Sequence, residues 1–125
     1  MKKIVLVLGV VGLFSMVFAA DAQTLLKQNG CMVCHNIMGK KTAPAFMGVA
    51  RRNIRFEGVN AKANIINSIK HGSKGKYRYF PDAQMPPFPN ISDEDLNTIA
   101  TYILSLNSNR QRGMRKGKGS QKGMI

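Results

Sequence analysis

The stretch Cys31-Met32-Val33-Cys34-His35 constrains this chain more than any other, because it holds both cysteines of the sequence and one of its two histidines. Two thiols three positions apart lie on about one helical turn, within reach of both vinyl groups on one edge of a porphyrin. The histidine that follows can then turn its imidazole under the iron. A zinc knuckle would want four Cys/His ligands at paired spacing, and only His71 is left to help. A thioredoxin-like redox pair belongs at a strand–helix junction of an α/β pattern, and none surrounds these cysteines. The motif is therefore read as an attachment site for one covalent haem c, with Cys31 and Cys34 as the bonded side chains and His35 as an iron ligand.

The two ends of the chain set its compartment and its charge. Lys2 and Lys3 precede an apolar run from Ile4 to Phe18, and Ala19, Ala20 and Ala22 offer small residues for cleavage. The run approaches the length of a short spanning helix. It ends in alanines and Asp21 rather than a basic stop-transfer flank, so residues 1–20 are read as a cleaved signal peptide and the periplasm as the destination. A disulfide is the other use for two cysteines in an oxidising compartment, but a bridge closing two intervening residues stabilises little. The 125 residues leave room for one domain. Of nineteen lysines and arginines, two leave with the signal and six lie beyond Asn107, so the part between holds eleven against all six acids, a net of +5. The tail over 107–125 is rich in Gly, Ser, Lys, Arg and Gln without an acid, and is predicted to be disordered.

Between these ends the pattern is helical. Residues 22–29 are good helix formers with Leu25 and Leu26 inward. Gly30 either lets another backbone approach or relaxes the helix. Residues 46–55 place Phe46, Val49 and Ala50 inward and Arg51, Arg52 and Arg55 outward. Asn60 is expected to cap a helix over 61–71 that buries Ile65, Ile66 and Ile69 and ends at Gly72. Residues 73–90 carry Met85-Pro86-Pro87-Phe88-Pro89, whose prolines forbid regular structure. A long irregular segment with Tyr77, Tyr79 and Phe80 reads as functional rather than disordered. Ser92 caps the last helix, whose first turn holds Asp93, Glu94 and Asp95, with Leu96, Ile99, Ala100, Ile103 and Leu104 at helical spacing. Met32, Met38 and Met47 read as core filler.

With these features in this order, residues 21–106 resemble the class I cytochromes c, in particular the small bacterial monohaem carriers. The haem motif and Gln84-Met85-Pro86-Pro87-Phe88 are specific; the Lys-Lys-Thr-Ala-Pro loop and the acid-capped last helix support them. The four-helix-bundle cytochromes carry their haem motif near the C-terminus instead. The resemblance implies an all-α cytochrome c fold, four to five short helices wrapped around the haem. It implies Met85 as the iron ligand opposite His35, a soft thioether that favours ferrous iron. It also implies that the carbonyl of Pro44 accepts the proximal imidazole N–H. Ala43 stands where the family usually has Gly. The family's Trp near a haem propionate has no counterpart, so Tyr77 or Tyr79, with Lys76 or Arg78, would serve there. His71 is the competing ligand, read as an exposed residue at a helix end.

The function so implied is periplasmic electron transfer by a monomer that is not an enzyme. Its partners would be a cytochrome bc-type donor and a terminal oxidase, nitrite reductase or peroxidase as acceptor, with Lys40, Lys41, Arg51 and Arg52 as a positive collar near the haem edge beside Cys31 and Cys34. No nucleic-acid role is expected of an exported protein. The basic tail is either a solvated appendage or a dock for an acidic partner or the anionic membrane surface. Two other readings stand beside this one. The first is a haem enzyme or gas sensor with an open sixth position, for which His71 is the one available distal residue. The second is a subunit held permanently in a larger oxidoreductase.

Overall fold

The computed structural model describes residues 21–120, with residues 109–120 as backbone only. The expected signal peptide and cleavage site lie outside the described residues. Four α-helices occur among them: α1 (Ala22–Gln28), α2 (Phe46–Glu57), α3 (Ala61–His71) and α4 (Asp93–Ser120). Short 3₁₀ turns precede two stretches of importance, one over Cys31–Val33 and one over Gly58–Asn60. Helix α4 packs against each of the other three.

Local chemistry explains where the helices begin. Asp21 caps α1 by accepting from the Thr24 amide at 2.9 Å, and Ser92 caps α4 by accepting from the Asp95 amide at 3.2 Å. Ala45, at the start of α2, has no side chain for this task. The first amides of α2 instead donate to the loop that follows the cysteine motif, Phe46 to the Asn36 carbonyl at 2.9 Å and Met47 to the Ile37 carbonyl at 3.2 Å. The missing cap thus ties α2 to the motif. Asn60 precedes α3 as expected, but its side chain makes no capping bond. The preceding 3₁₀ turn leads directly into α3 at that point, and Asn60 sits at φ −90° and ψ 4° rather than in the extended conformation a capping side chain needs.

One core holds these helices together. Leu25 and Leu26 of α1, Phe46 and Ala50 of α2, Ile65 and Ile69 of α3, and Leu96, Ile99, Ala100 and Ile103 of α4 are buried in a single cluster. Truncating any one of the large members to alanine costs about 2–5 kcal/mol. At the crossing of the terminal helices, Gln23 of α1 bonds the Tyr102 hydroxyl of α4 at 3.2 Å. Met32 and Met47 pack against this core, while Met38 is 66% exposed and fills nothing.

Two expectations are corrected here. Residues 73–90 hold a short ladder after all, β1 (Ser73–Lys74) paired antiparallel with β2 (Gln84–Met85). The prolines that forbid a helix begin one residue after Met85, so the pairing stops where they start. Helix α4, in turn, runs to Ser120, so the backbone over 107–120 is helical where disorder was expected. A helix already nucleated on a packed core extends without a second nucleation cost, here through Arg, Gln, Met and Lys and past Gly113, Gly117 and Gly119, which by propensity oppose it. The fold is all-α with four helices, the last of them long.

Candidate haem-binding site

The 3₁₀ turn carries the motif. A bond from the His35 amide to the Cys31 carbonyl at 3.0 Å closes a turn over it, and both thiols are free. Cys31, Cys34 and His35 face a cavity of about 550 Å³, which Pro44, Tyr77 and Met85 also line. The inner faces of α2 and α3 supply its apolar walls, including Val49, Ile65 and Ile69.

His35 is held twice. Its Nδ1–H donates to the Pro44 carbonyl at 2.6 Å, and its ring stacks on Phe46 with centroids 4.7 Å apart and planes 22° apart. Since a carbonyl only accepts, Nδ1 carries the proton and Nε2 keeps its lone pair. Burial lowers the pKa of His35 below its ordinary value, opposed by the bond to Pro44. With Nδ1 bonded to Pro44, the lone pair on Nε2 is left to bind a metal. Burial pushes the Cys31 thiol up.

Met85 arrives by a longer route. It pairs with Ser73 in the β1–β2 ladder, and the Phe88 amide donates to the Ile69 carbonyl at 2.8 Å, fastening the far side of the Met-Pro-Pro run to the end of α3. Between these anchors sits Gly72, at φ 79° and ψ 170°, a region open to glycine almost alone. A Cβ there would lie 2.7 Å from the Met85 carbonyl oxygen and 3.2 Å from the Pro87 nitrogen.

One end of the cavity is polar. Asn53, 2% exposed, donates to the Val49 carbonyl at 2.9 Å and accepts from Asn64 at 2.6 Å. Lys76 donates to the Ser68 hydroxyl at 2.7 Å, and Arg52 donates to the Lys76 carbonyl at 3.0 Å. Burial raises the Tyr77 hydroxyl, while the Arg52 charge and the Asn53 amide act in the opposite direction. Asn53, Asn64 and Ser68 were missed in the sequence reading. The available signal was Asn53, a polar residue at i+7 from Phe46 on the buried stripe of α2.

Of the other sequence candidates, Tyr79 is 74% exposed and, with Arg78, belongs to a separate hollow on the outer face of α2 rather than to the cavity. His71 is exposed at the end of α3 and does not line the cavity. The expected collar is also displaced. Lys40, Arg51 and Arg52 line the outer hollow, which contains neither cysteine. Only Lys41 reaches the motif, donating to the Met32 carbonyl at 3.0 Å. For Arg51 the cause is the helical phase of α2, which turns it away from the face that Phe46 and Asn53 present to the cavity.

These residues fit a haem. A tetrapyrrole with one vinyl edge, two acid groups and a metal needs two thiols at one place, polar donors at another, an apolar slot, and axial donors. The cavity lining provides each of them. Comparison with known proteins agrees. Residues 19–107 match the family model described as cytochrome c. Cytochrome c-552 of Hydrogenobacter thermophilus is 39% identical over 85% of this chain and 99% of its own length, and cytochrome c-551 of Pseudomonas aeruginosa is 37% identical over 70% of this chain and 79% of its own. The crystal structure of wild-type Nitrosomonas europaea cytochrome c552 superposes with a TM-score of 0.58 at 31% identity, covering 68% of this chain and 99% of that one. With its motif, its cavity and its relatives in agreement, this chain belongs to the cytochrome c family, as a small class I bacterial member.

Proposed function

We propose that this chain is an exported, monomeric electron carrier that holds its haem iron between His35 and Met85. The haem c of this family, covalently attached and iron-containing, supplies a one-electron ferric/ferrous couple. The chain's own residues do the rest. Cys31 and Cys34 anchor the group, His35 offers Nε2, and Pro44 holds the imidazole ring from behind, which makes it a better donor. Met85 offers a neutral thioether, and Pro86 and Pro87 limit the freedom its loop would otherwise lose on binding. The apolar walls exclude water, and Asn64, Ser68, Lys76 and Tyr77 suit the acid groups of the porphyrin.

One observation carries the reading: His35, with its Nδ1 proton committed to Pro44, and Met85 line the same cavity as both cysteines. The exposed position of His71 outside that cavity takes away the residue on which a distal acid–base role or bis-histidine ligation rested. Among the described residues no helix is long and apolar enough to cross a membrane. By resemblance the donor is a cytochrome bc-type complex and the acceptor a terminal oxidase, nitrite reductase or peroxidase.

The test is a visible spectrum of the purified protein, oxidised and reduced, with and without carbon monoxide. A low-spin spectrum with the weak red band of methionine on ferric iron, absent in Met85→Ala, and no response to carbon monoxide is expected. A high-spin spectrum, or ready carbon monoxide binding by the unaltered protein, would return the enzyme or gas-sensor reading to the front.

A further inference from the structure

The hollow on the outer face of α2 has a volume of about 430 Å³ and is lined by Lys40, Arg51, Arg55 and Arg78 around Phe56 and Tyr79. Its composition is unusual for a solvated surface. Phe56 is 66% exposed and Tyr79 74%, although a free surface gains nothing from presenting two aromatic rings side by side with four cations. Three of the four cations lie over these rings: Lys40 Nζ is 4.9 Å from the Tyr79 centroid, Arg78 6.0 Å from the same ring, and Arg55 5.3 Å from Phe56. Stacking of this kind holds a guanidinium in place while leaving its N–H edge available.

The charges are also uncompensated. Glu57, the acid at the end of α2, pairs at 3.7 Å with Arg52, which is already bonded to the Lys76 carbonyl. The ion pairs among the described residues are this one and that of Lys70 with Asp93, so Lys40, Arg51, Arg55 and Arg78 enter none. Arg51 and Arg55 stand one helical turn apart on α2, a spacing that lets two guanidinium forks receive neighbouring carboxylates. Arginine, tyrosine, phenylalanine and methionine are the residues enriched at the centres of protein interfaces, where they carry most of the binding energy.

We infer that this hollow is a docking surface for an acidic face of a redox partner protein, one that presents carboxylates around an apolar or aromatic side chain. The hollow takes the apolar side chain and the four cations take the carboxylates. A bilayer surface has no protruding side chain to fill a concave site, and a simple anion would leave the rings exposed. Pro44, Tyr77 and Phe80 line both the hollow and the haem cavity, so a partner seated here is separated from the cofactor by one layer of side chains. The identity of the partner as a redox protein rests on the carrier reading; the binding chemistry does not.

The experiment uses ¹⁵N-labelled holoprotein titrated with an acetylated Asp/Glu-rich hexapeptide carrying one central phenylalanine. Amide shifts are expected at Lys40, along Arg51 to Glu57 and around Arg78 and Tyr79, and these should fade at high salt. The double variant Arg51→Glu/Arg55→Glu should weaken binding at least tenfold, and a peptide with alanine for phenylalanine should bind more weakly than its parent. Lys62→Glu, which alters a lysine bonded to Asn97 between α3 and α4, should bind as the unaltered protein does. Shifts centred on Cys31 to Cys34, equal weakening in Lys62→Glu, or a response to phosphatidylglycerol vesicles but not to the peptide would each overturn the proposal. The visible spectrum is recorded on every variant: a normal reversible spectrum with lost peptide binding isolates the docking surface. A spectrum already abnormal in the unaltered protein strikes the carrier reading instead.

Discussion

The two sides of the cavity are built by different means. His35 is placed by neighbours in sequence: a turn closed on Cys31, a carbonyl nine residues on at Pro44, and the ring of Phe46. Met85 is placed by segments that meet only in the fold, through the ladder to Ser73, the bond from Phe88 to Ile69 and the close approach of its backbone to Gly72. The histidine side is locally determined and should persist when packing is weakened. The methionine side depends on tertiary contacts and should yield first. Two glycines show the same contrast. Gly30, before the motif, has φ 71° and ψ 14°, and an added Cβ would meet no atom within 4 Å, so it serves only the sign of φ. Gly72 needs both its conformation and its missing side chain.

The sharpest way to break this contrast is Gly72→Ala. We expect a loss of about 3 kcal/mol, the upper end for a residue forced into a glycine-only conformation, and a weakened or absent red methionine band with the haem still attached. Urea unfolding and the oxidised spectrum read these two effects separately. Gly30→Asn, in a left-handed conformation that asparagine tolerates, should leave the band intact. An unchanged band in Gly72→Ala would show that Met85 is held without its backbone clamp.

Asn53→Ala probes the polar end that both sides share. It leaves the Asn64 amide without its 2.6 Å acceptor, and the expected cost is about 2 kcal/mol by chemical denaturation. Gly48→Ala serves as the opposite control. Gly48 lies inside α2, and no atom stands within 4 Å of an added Cβ. The change should stabilise by about 0.5–1 kcal/mol without altering the spectrum.

The smallest effect concerns Lys70 and Asp93, joined at 2.8 Å beside the clamp at Gly72. The hydrogen bond and charge of Lys70 hold the Asp93 carboxyl below its ordinary value of 3.8. A depressed folded-state pKa contributes stability above the unfolded value and loses it as pH falls through the lower folded value. Asp93→Asn should therefore reduce stability slightly at neutral pH and flatten the decline below pH 3.8. High salt should erase the difference, because the aspartate is exposed.

Much of the fold was legible in the sequence for reasons that each helix carries within itself. The bounds of α3 follow from the isoleucine stripe and Gly72, α1 from its run of good helix formers with Leu25 and Leu26 inward, and the start of α4 from Ser92, because helical periodicity and capping act within four residues. The spacing of Cys31, Cys34 and His35 is equally local, and so it pointed to the cofactor at once. The features that escaped the sequence reading depend on which segments meet. The β1–β2 ladder is two residues long and has no period to detect. The burial of Asn53 makes sense only with Asn64 beside it, and the gathering of Lys40, Arg55 and Arg78 around exposed rings joins three separate parts of the chain. By itself, then, the sequence determined where the helices lie up to residue 106, the haem motif and the family, since these rest on short-range geometry. Only the tertiary structure decided how Met85 is clamped and which face carries the charge, because close backbone approach and charge clustering exist only once distant segments are packed together.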